Sequence, residues 1–145
     1  MAVIWVIVAD SGKARIFSAD TPIGALTERE AFVNPEVRVK QMELRTDRPG
    51  QTSESAGEGR RAKAVEVEPK DQERIRFAKL LAERLERARL ENAFERLALV
   101  AAPAFLGLLR ESITTPLRAH VSLEVDKDYV SLAPAELRAR LPDRL

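Results

Sequence analysis

The stretch from Asp71 to Ser112 constrains the fold most, because it reads as a helix, a buried strand and a second helix. In its first part, apolar residues recur at steps of three and four, which predicts a helix over residues 70–91 with one buried stripe. The stripe comprises Ile75, Ala78, Leu81, Ala82, Leu85 and Ala88. Pro69 is tolerated in the first turn, and Asn92 can close the helix in a left-handed conformation.

An apolar run from Leu97 to Ala102 follows. It is too short for a helix and is bounded by Pro103, which is typical of a strand covered on both faces. Pro103 can open a second helix that ends before Thr114, and we interpret Gly107 within it as a close-packing position. A helix, a buried strand and a helix in succession predict a layered α/β domain.

The beginning of the chain predicts an antiparallel meander of three strands. Val3–Val8 is a β-branched and aromatic run, as expected of a central strand buried on both faces. A turn at residues 10–13 leads to a second strand over Ala14–Ser18. A more polar third strand over Leu26–Val33 suits the edge of the sheet.

The end of the chain predicts one helical turn over Pro116–Ala119, a fifth strand over Val121–Val125 and a closing helix within Ser131–Leu141. With 145 residues and 45% hydrophobic content, we expect a single domain over residues 1–145. The 24 basic and 23 acidic residues nearly cancel, so net charge does not point to a polyanionic partner.

Two further features of the composition bear on the compartment. The chain has no cysteine, which excludes disulfides and cysteine chemistry and suits a reducing compartment. The apolar stretch Met1–Ala9 lacks both the flanks of a signal peptide and the length of a membrane span. We therefore expect a cytoplasmic protein with no membrane contact.

Apolar periodicity stops over residues 34–70, where glycines and prolines accumulate, and this predicts one long loop over about 35–69. Its start is compatible with a short strand or a helical turn, built on Val37, Val39, Met42 and Leu44. Residues 46–66 combine glycine, proline and charge with almost no apolar anchor, so we expect them to be mobile.

This loop is locally basic between Arg38 and Lys63. Seven bases (Arg38, Lys40, Arg45, Arg48, Arg60, Arg61, Lys63) stand there against four acids (Glu43, Asp47, Glu54, Glu58). The loop has no aromatic residue on which a base could stack. Contact with phosphates is therefore favoured over reading of bases.

Two other groups of residues are candidates for a catalytic role. Asp10, Asp126 and Asp128 follow strand ends and could converge on a metal as in two-metal nucleases, although both segments are also ordinary turn sequences, the interpretation we favour. His120 is the single histidine and has no serine motif beside it, so we interpret it as a half-buried or surface residue before a strand. The sequence indicates no cofactor and no metal site.

Several segments together resemble the bacterial host-attachment protein family. They are WVIVADSGKARIF (Trp5–Phe17), Asp47-Arg48-Pro49-Gly50, LALVAAPAFLGLLR (Leu97–Arg110) and EVDKD (Glu124–Asp128), which agree in order over nearly the whole chain. That family is similar in turn to the middle domain of archaeal and eukaryotic peptide-chain release factors and of Pelota. The resemblance implies an RNase H-like three-layer fold with a mixed five-stranded sheet of order 3-2-1-4-5.

In release factors the equivalent loop carries a Gly-Gly-Gln sequence that promotes ester hydrolysis, and Gly50 and Gln51 match its last two residues. Pro49 replaces the first glycine, fixes φ and removes a backbone donor, so the same backbone geometry is not expected. Gln51 therefore stays a catalytic candidate only.

The leading hypothesis is a binding module that presents the loop to structured RNA, the ribosome or tRNA. The phosphate-contacting bases would be Arg45, Arg48, Arg60, Arg61 and Lys63, with Gly50 and Gln51 at the tip. The alternatives are a metal-dependent nuclease or phosphoesterase using Asp10, Asp126 and Asp128, and an indirect role in attachment to host cells. The sequence leaves the oligomeric state open.

Overall fold

The structure, a computed structural model, describes residues 2–36 and 69–145. Five strands form one mixed sheet: β1 (Ile4–Ala9), β2 (Lys13–Ala19), β3 (Thr27–Val33), β4 (Arg96–Ala101) and β5 (Val121–Val125). Their order is β3-β2-β1-β4-β5. This confirms the expected strand order, the opening meander and the edge position of the polar third strand.

The two most apolar strands, β1 and β4, lie side by side at the centre. They pair in parallel, with Ile7 opposite Leu99, and every residue of β1 is buried. On the other side of β1, β2 runs antiparallel, while β5 runs parallel to β4. Continuous apolar runs therefore occupy the positions that are covered on both faces, as the sequence predicted.

Helices cover both faces of the sheet. They are α1 (Pro69–Leu90), α2 (Pro103–Ser112), α3 (Thr115–Arg118) and α4 (Pro134–Ala139). The first two pack on one face, and Leu137 of α4 packs on the other, which makes three layers. The closing helix α4 lies within the predicted stretch Ser131–Leu141 and begins at Pro134, the residue suited to a first helical position.

The buried stripe of α1 differs in two residues from the predicted stripe. Its small and branched members are buried as expected, but Ile75 is only half-buried. Phe77, outside the predicted stripe, is 1% exposed and packs on Phe105 of α2, with the ring centroids 6.0 Å apart. The buried stripe is therefore rotated about the helix axis relative to the prediction, to the side on which Phe77 packs against α2.

Asn92 closes α1 as predicted, with φ at 58°. The amide of Ala93 donates to the carbonyl of Ala88 at 2.9 Å, and the amide of Asn92 donates to that of Arg89 at 2.9 Å. These two bonds form a Schellman cap, which requires one left-handed residue after the helix.

The interpretation of Gly107 as a close-packing position is wrong. A Cβ built on this glycine meets no described atom within 4 Å, so its face of α2 is open. No packing contact therefore accounts for the glycine.

Gly107→Ala should stabilise the fold by about 0.5–1 kcal/mol, because alanine restricts the unfolded backbone and favours the helix. Urea unfolding measures this change. Gly24→Ala is the matched control, because a Cβ there lies 3.0 Å from the Thr21 hydroxyl oxygen and should give no such gain. A Gly107→Ala variant less stable than the parent would show that this position is packed after all.

Arg84 of α1 ties the helix to the edge strand. Its Nε and Nη2 donate to the two carboxylate oxygens of Glu30 at 2.9 and 2.8 Å, and its guanidinium lies 5.6 Å from the ring centroid of Trp5. The bidentate bond lowers the pKa of Glu30. Folding therefore favours the ionised carboxylate.

This pair should make stability depend on pH below neutrality. Since the pKa of Glu30 is lower in the folded chain, its contribution is complete above the ordinary glutamate value of about 4.3 and is lost as pH falls through the lowered value. Glu30→Gln should thus be less stable than the parent at pH 7, and the difference should shrink below about pH 4. Urea unfolding across this range tests it, with exposed Glu95→Gln as control; a constant difference would contradict the linkage.

Candidate functional site

The predicted RNA-contacting residues lie outside the described residues. This applies to Arg45, Arg48, Gly50, Gln51, Arg60, Arg61 and Lys63, and to the predicted strand or turn at Val37–Leu44. What the structure describes is the pair of chain ends on either side of this segment. We call the residues there, 34–36 and 71–76 together with the turn at 10–13, the segment base.

Asn34 holds the segment base together. It is 1% exposed, and its Nδ2 donates to the carbonyls of Ser11 at 3.0 Å and of Glu73 at 3.4 Å. Its Oδ1 accepts from the amide of Glu36 at 3.0 Å, and its own amide donates to the carbonyl of Gly12 at 2.8 Å. One buried amide therefore joins the turn after β1, the exit from β3 and the first turns of α1.

A second contact crosses the segment base at its surface. The guanidinium of Arg76 donates to both carboxylate oxygens of Glu36, and this bond raises the pKa of Arg76. Beside the pair lies an apolar groove of about 330 Å³, lined in part by Pro35, Phe77 and Leu80. Residue 36, just before the segment, is therefore fixed against α1 just after it.

The segment base lies at the carboxyl edge of the parallel strands. β1, β4 and β5 all run the same way and end at this edge, and β3 ends beside them because it is separated from β1 by one antiparallel strand. The first turns of α1 reach the same edge through Asn34. In open α/β sheets, ligands bind at the carboxyl edge of the strands.

The three candidate carboxylates share this edge without forming a common site. Asp10 Oδ1 accepts from the amides of Gly12 and Lys13, both at 2.8 Å, so it closes the turn after β1. Asp126 follows β5, two strands away, a separation of about 10 Å. Asp128 Oδ1 accepts from the amide of Val130 at 3.5 Å. Within residues 2–36 and 69–145, no three acidic or histidine side chains are grouped to hold a metal ion.

His120 makes structural contacts. Its Nδ1 lies 2.9 Å from the carbonyl oxygen of Glu95, and its ring meets the ring of Phe94 edge-on, with centroids 5.8 Å apart. Its carbonyl accepts from the amide of Leu97 at 2.9 Å. The histidine thus joins the turn before β5 to the start of β4.

Sequence reasoning missed two residues that organise this edge. Asn34 stands before Pro35 at a strand exit, which is a turn signal that could have marked it. Arg15 is the other: its Nη1 donates to the carbonyls of Val130 at 2.9 Å and Leu132 at 2.7 Å and so fixes the chain after β5 against the sheet. No local pattern marks this role of Arg15, because the two carbonyls lie more than a hundred residues away.

The fold and its segment base define a small α/β domain in which the residues on either side of positions 37–68 meet at the carboxyl edge of the parallel strands. Residues 5–141 match the family described as "Protein required for attachment to host cells". The chain belongs to this family.

Two other comparisons and one property of the helices complete this description. No curated protein matches the chain. Among solved structures, it is similar to the Aquifex aeolicus Ppx/GppA phosphatase, in the crystal structure of its type II variant, with 16% identity and a TM-score of 0.41 over 86% of this chain. The chain spans 35% of that protein, and a likeness at this level carries no functional argument. In the described part of the chain, none of the helices has the length and apolar character needed to cross a membrane.

Asn34→Ala should destabilise the fold by about 2–3 kcal/mol, because the variant leaves buried carbonyls and the Glu36 amide without their partner. Urea unfolding measures this loss. Amide exchange at Glu36 should accelerate more than at Leu99 in the sheet centre, because only the former loses its acceptor. Exposed Ser122→Ala is the control, and unchanged exchange at Glu36 would contradict the bridging role of Asn34.

Proposed function

We propose that this protein is a binding module for structured RNA, the ribosome or tRNA, that contacts phosphates through the basic segment between residues 38 and 63. The observation that carries the proposal is the segment base. Asn34 and the Glu36–Arg76 pair fix both ends of the segment side by side at the carboxyl edge of the parallel strands. An insertion held at that edge is well placed to meet a ligand.

The distribution of charge supports the same segment. In the described ranges, six arginines are bound to carboxylates of the same chain: Arg15, Arg74, Arg76, Arg84, Arg89 and Arg110. Their charges are largely offset where they stand. The local excess of seven bases over four acids between Arg38 and Lys63 is therefore the strongest source of attraction for a polyanion that the sequence offers.

The resemblance to the release-factor middle domain supports an RNA partner and an RNase H-like assignment of the fold. The strand order β3-β2-β1-β4-β5 is the order that this resemblance implies. Hydrolysis is not part of the proposal, because Pro49 stands where the release-factor sequence has a glycine and lacks its backbone donor.

The description of the family supports a second proposal, an indirect part in attachment to host cells. Binding of RNA inside the cell would act on attachment through expression rather than through contact with the host. The nuclease alternative receives no such support, since Asp10 closes its own turn and stands about two strands from Asp126.

Replacing Arg48, Arg60 and Arg61 together with alanine should weaken binding to ribosomes or tRNA and flatten its salt dependence. Each lost phosphate contact reduces the log-log slope by about 0.7–0.9, so the triple variant should lose roughly two to three units if all three touch phosphate. Filter binding at several salt concentrations measures the slope. Gln51→Ala should leave affinity and slope nearly unchanged.

In the matched control variant, three exposed arginines in the described part of the chain are replaced with alanine: Arg87, Arg140 and Arg144. It changes net charge equally and should retain most of the slope. If the two triple variants bind alike, the segment is not the phosphate-contacting site. If Gln51→Ala abolishes a measurable peptidyl-ester hydrolysis, a release-type loop is the better account.

A further inference from the structure

The side of α1 next to α2 carries a second surface that the proposed function does not use. A groove of about 650 Å³ runs between α1 and α2. From α1 it is lined by Ile75, Lys79, Ala82, Glu83, Glu86, Arg87 and Leu90. We call five of these residues the α1 stripe: Ile75, Lys79, Ala82, Glu86 and Leu90. At 100° per residue these five side chains fall within an arc of about 80° and span about 22 Å of helix.

The α1 stripe is apolar at its ends and charged between them. Leu90 is 65% exposed, and Ile75 is half-buried at the other end. Ala82, at the centre, is small enough to let another helix approach closely. Lys79 is exposed and makes no ion pair with any described residue. Glu83, Arg87 and Glu111 also line the groove. Three carboxylates there stand against two bases, so the groove does not favour a polyanion such as RNA.

Glu86 lines this groove, and hydrogen bonds fix its side chain there. Its carboxylate accepts from Nε and Nη2 of Arg89 at 3.0 and 2.7 Å and from the Thr114 hydroxyl at 3.0 Å. The hydrogen bond from Arg89, with that from Thr114, lowers the pKa of Glu86. A fixed carboxylate that can still accept a hydrogen bond thus lies two turns of α1 from Lys79, which makes no ion pair within the described ranges.

We propose that the α1 stripe binds the α1 stripe of a second copy of this chain, with the two helices antiparallel and crossing at Ala82. In this register Lys79 of each copy faces Glu86 of the other, and Ile75 of each faces Leu90 of the other. Every member of the stripe then meets a complementary group twice, as a two-fold interface requires. A parallel pairing would instead set Lys79 against Lys79 and Glu86 against Glu86.

The arrangement has a consequence for the segment bases. Because the helices run antiparallel, the first turns of the two α1 helices lie at opposite ends of the pair. Each copy would therefore keep its carboxyl edge away from the contact, and the interface would not compete with a ligand at that edge.

Sedimentation equilibrium of the full chain between about 1 μM and 1 mM tests the proposal. The average mass should rise from the 16.2 kDa monomer toward twice that value. Lys79→Glu and Glu86→Lys should each raise the dimer dissociation constant by about tenfold or more, because each sets like charges opposite each other at two places. Exposed Lys127→Glu is the control and should dimerise as the parent does.

Mixing the two variants gives the sharpest readout. In a pair of one Lys79→Glu chain and one Glu86→Lys chain, both facing positions carry opposite charges again, so the mixture should associate although neither variant alone does. This rescue also shows that Glu86→Lys remains folded despite losing Arg89 and Thr114. A parent that stays monomeric to 1 mM, a dimer insensitive to both changes, or a mixture that stays monomeric would each overturn the proposal.

Discussion

The parallel pairing of β1 with β4 is the constraint on which the rest of this structure depends. Burying both strands on both faces requires cover on each side, and α1, α2 and α4 supply it. A parallel pair also requires a crossover between its members. The connection from β1 to β4 contains β2, β3, residues 34–68 and α1. In it, β3 ends and α1 begins at the carboxyl edge of β1.

The elements with strong local patterns could be predicted from the sequence. The apolar runs of β1 and β4, the spacing along α1 and the cap at Asn92 depend on neighbours within a few residues, and the structure confirms them. Strand order 3-2-1-4-5 came from the family resemblance together with these elements, and it is also confirmed.

Contacts between distant parts of the chain could not be predicted in the same way. Asn34, Arg15 and Arg84 each bind groups that lie far away in sequence. Asn34 before Pro35 gives a turn signal but no indication of its distant partners, and nothing local marks the two arginines. The close-packing interpretation of Gly107 is wrong for a related reason. A glycine in a helix gives the same sequence pattern whether or not a neighbouring element approaches it. The carboxylates Asp10, Asp126 and Asp128 were predicted to stand at strand ends, which they do, but only the structure shows the separation across β4.

The described part of the chain has two surfaces with different properties. The carboxyl edge carries the segment base, where the hydrogen bonds of buried Asn34 and an ion pair hold together the residues on either side of the basic segment. The side of α1 next to α2 carries the α1 stripe, in a groove where three carboxylates stand against two bases. The proposed RNA binding and the proposed self-association therefore use different surfaces, and either proposal can be wrong without the other.

The central claim is that the chain binds structured RNA through charge. Co-sedimentation of the parent protein with purified ribosomes at two salt concentrations tests this most directly. The account predicts that the protein pellets with ribosomes at about 50 mM salt and is largely released at about 200 mM, since several phosphate contacts cost orders of magnitude in affinity over that range. A protein that stays in the supernatant at the lower salt, or pellets equally at both, would contradict it.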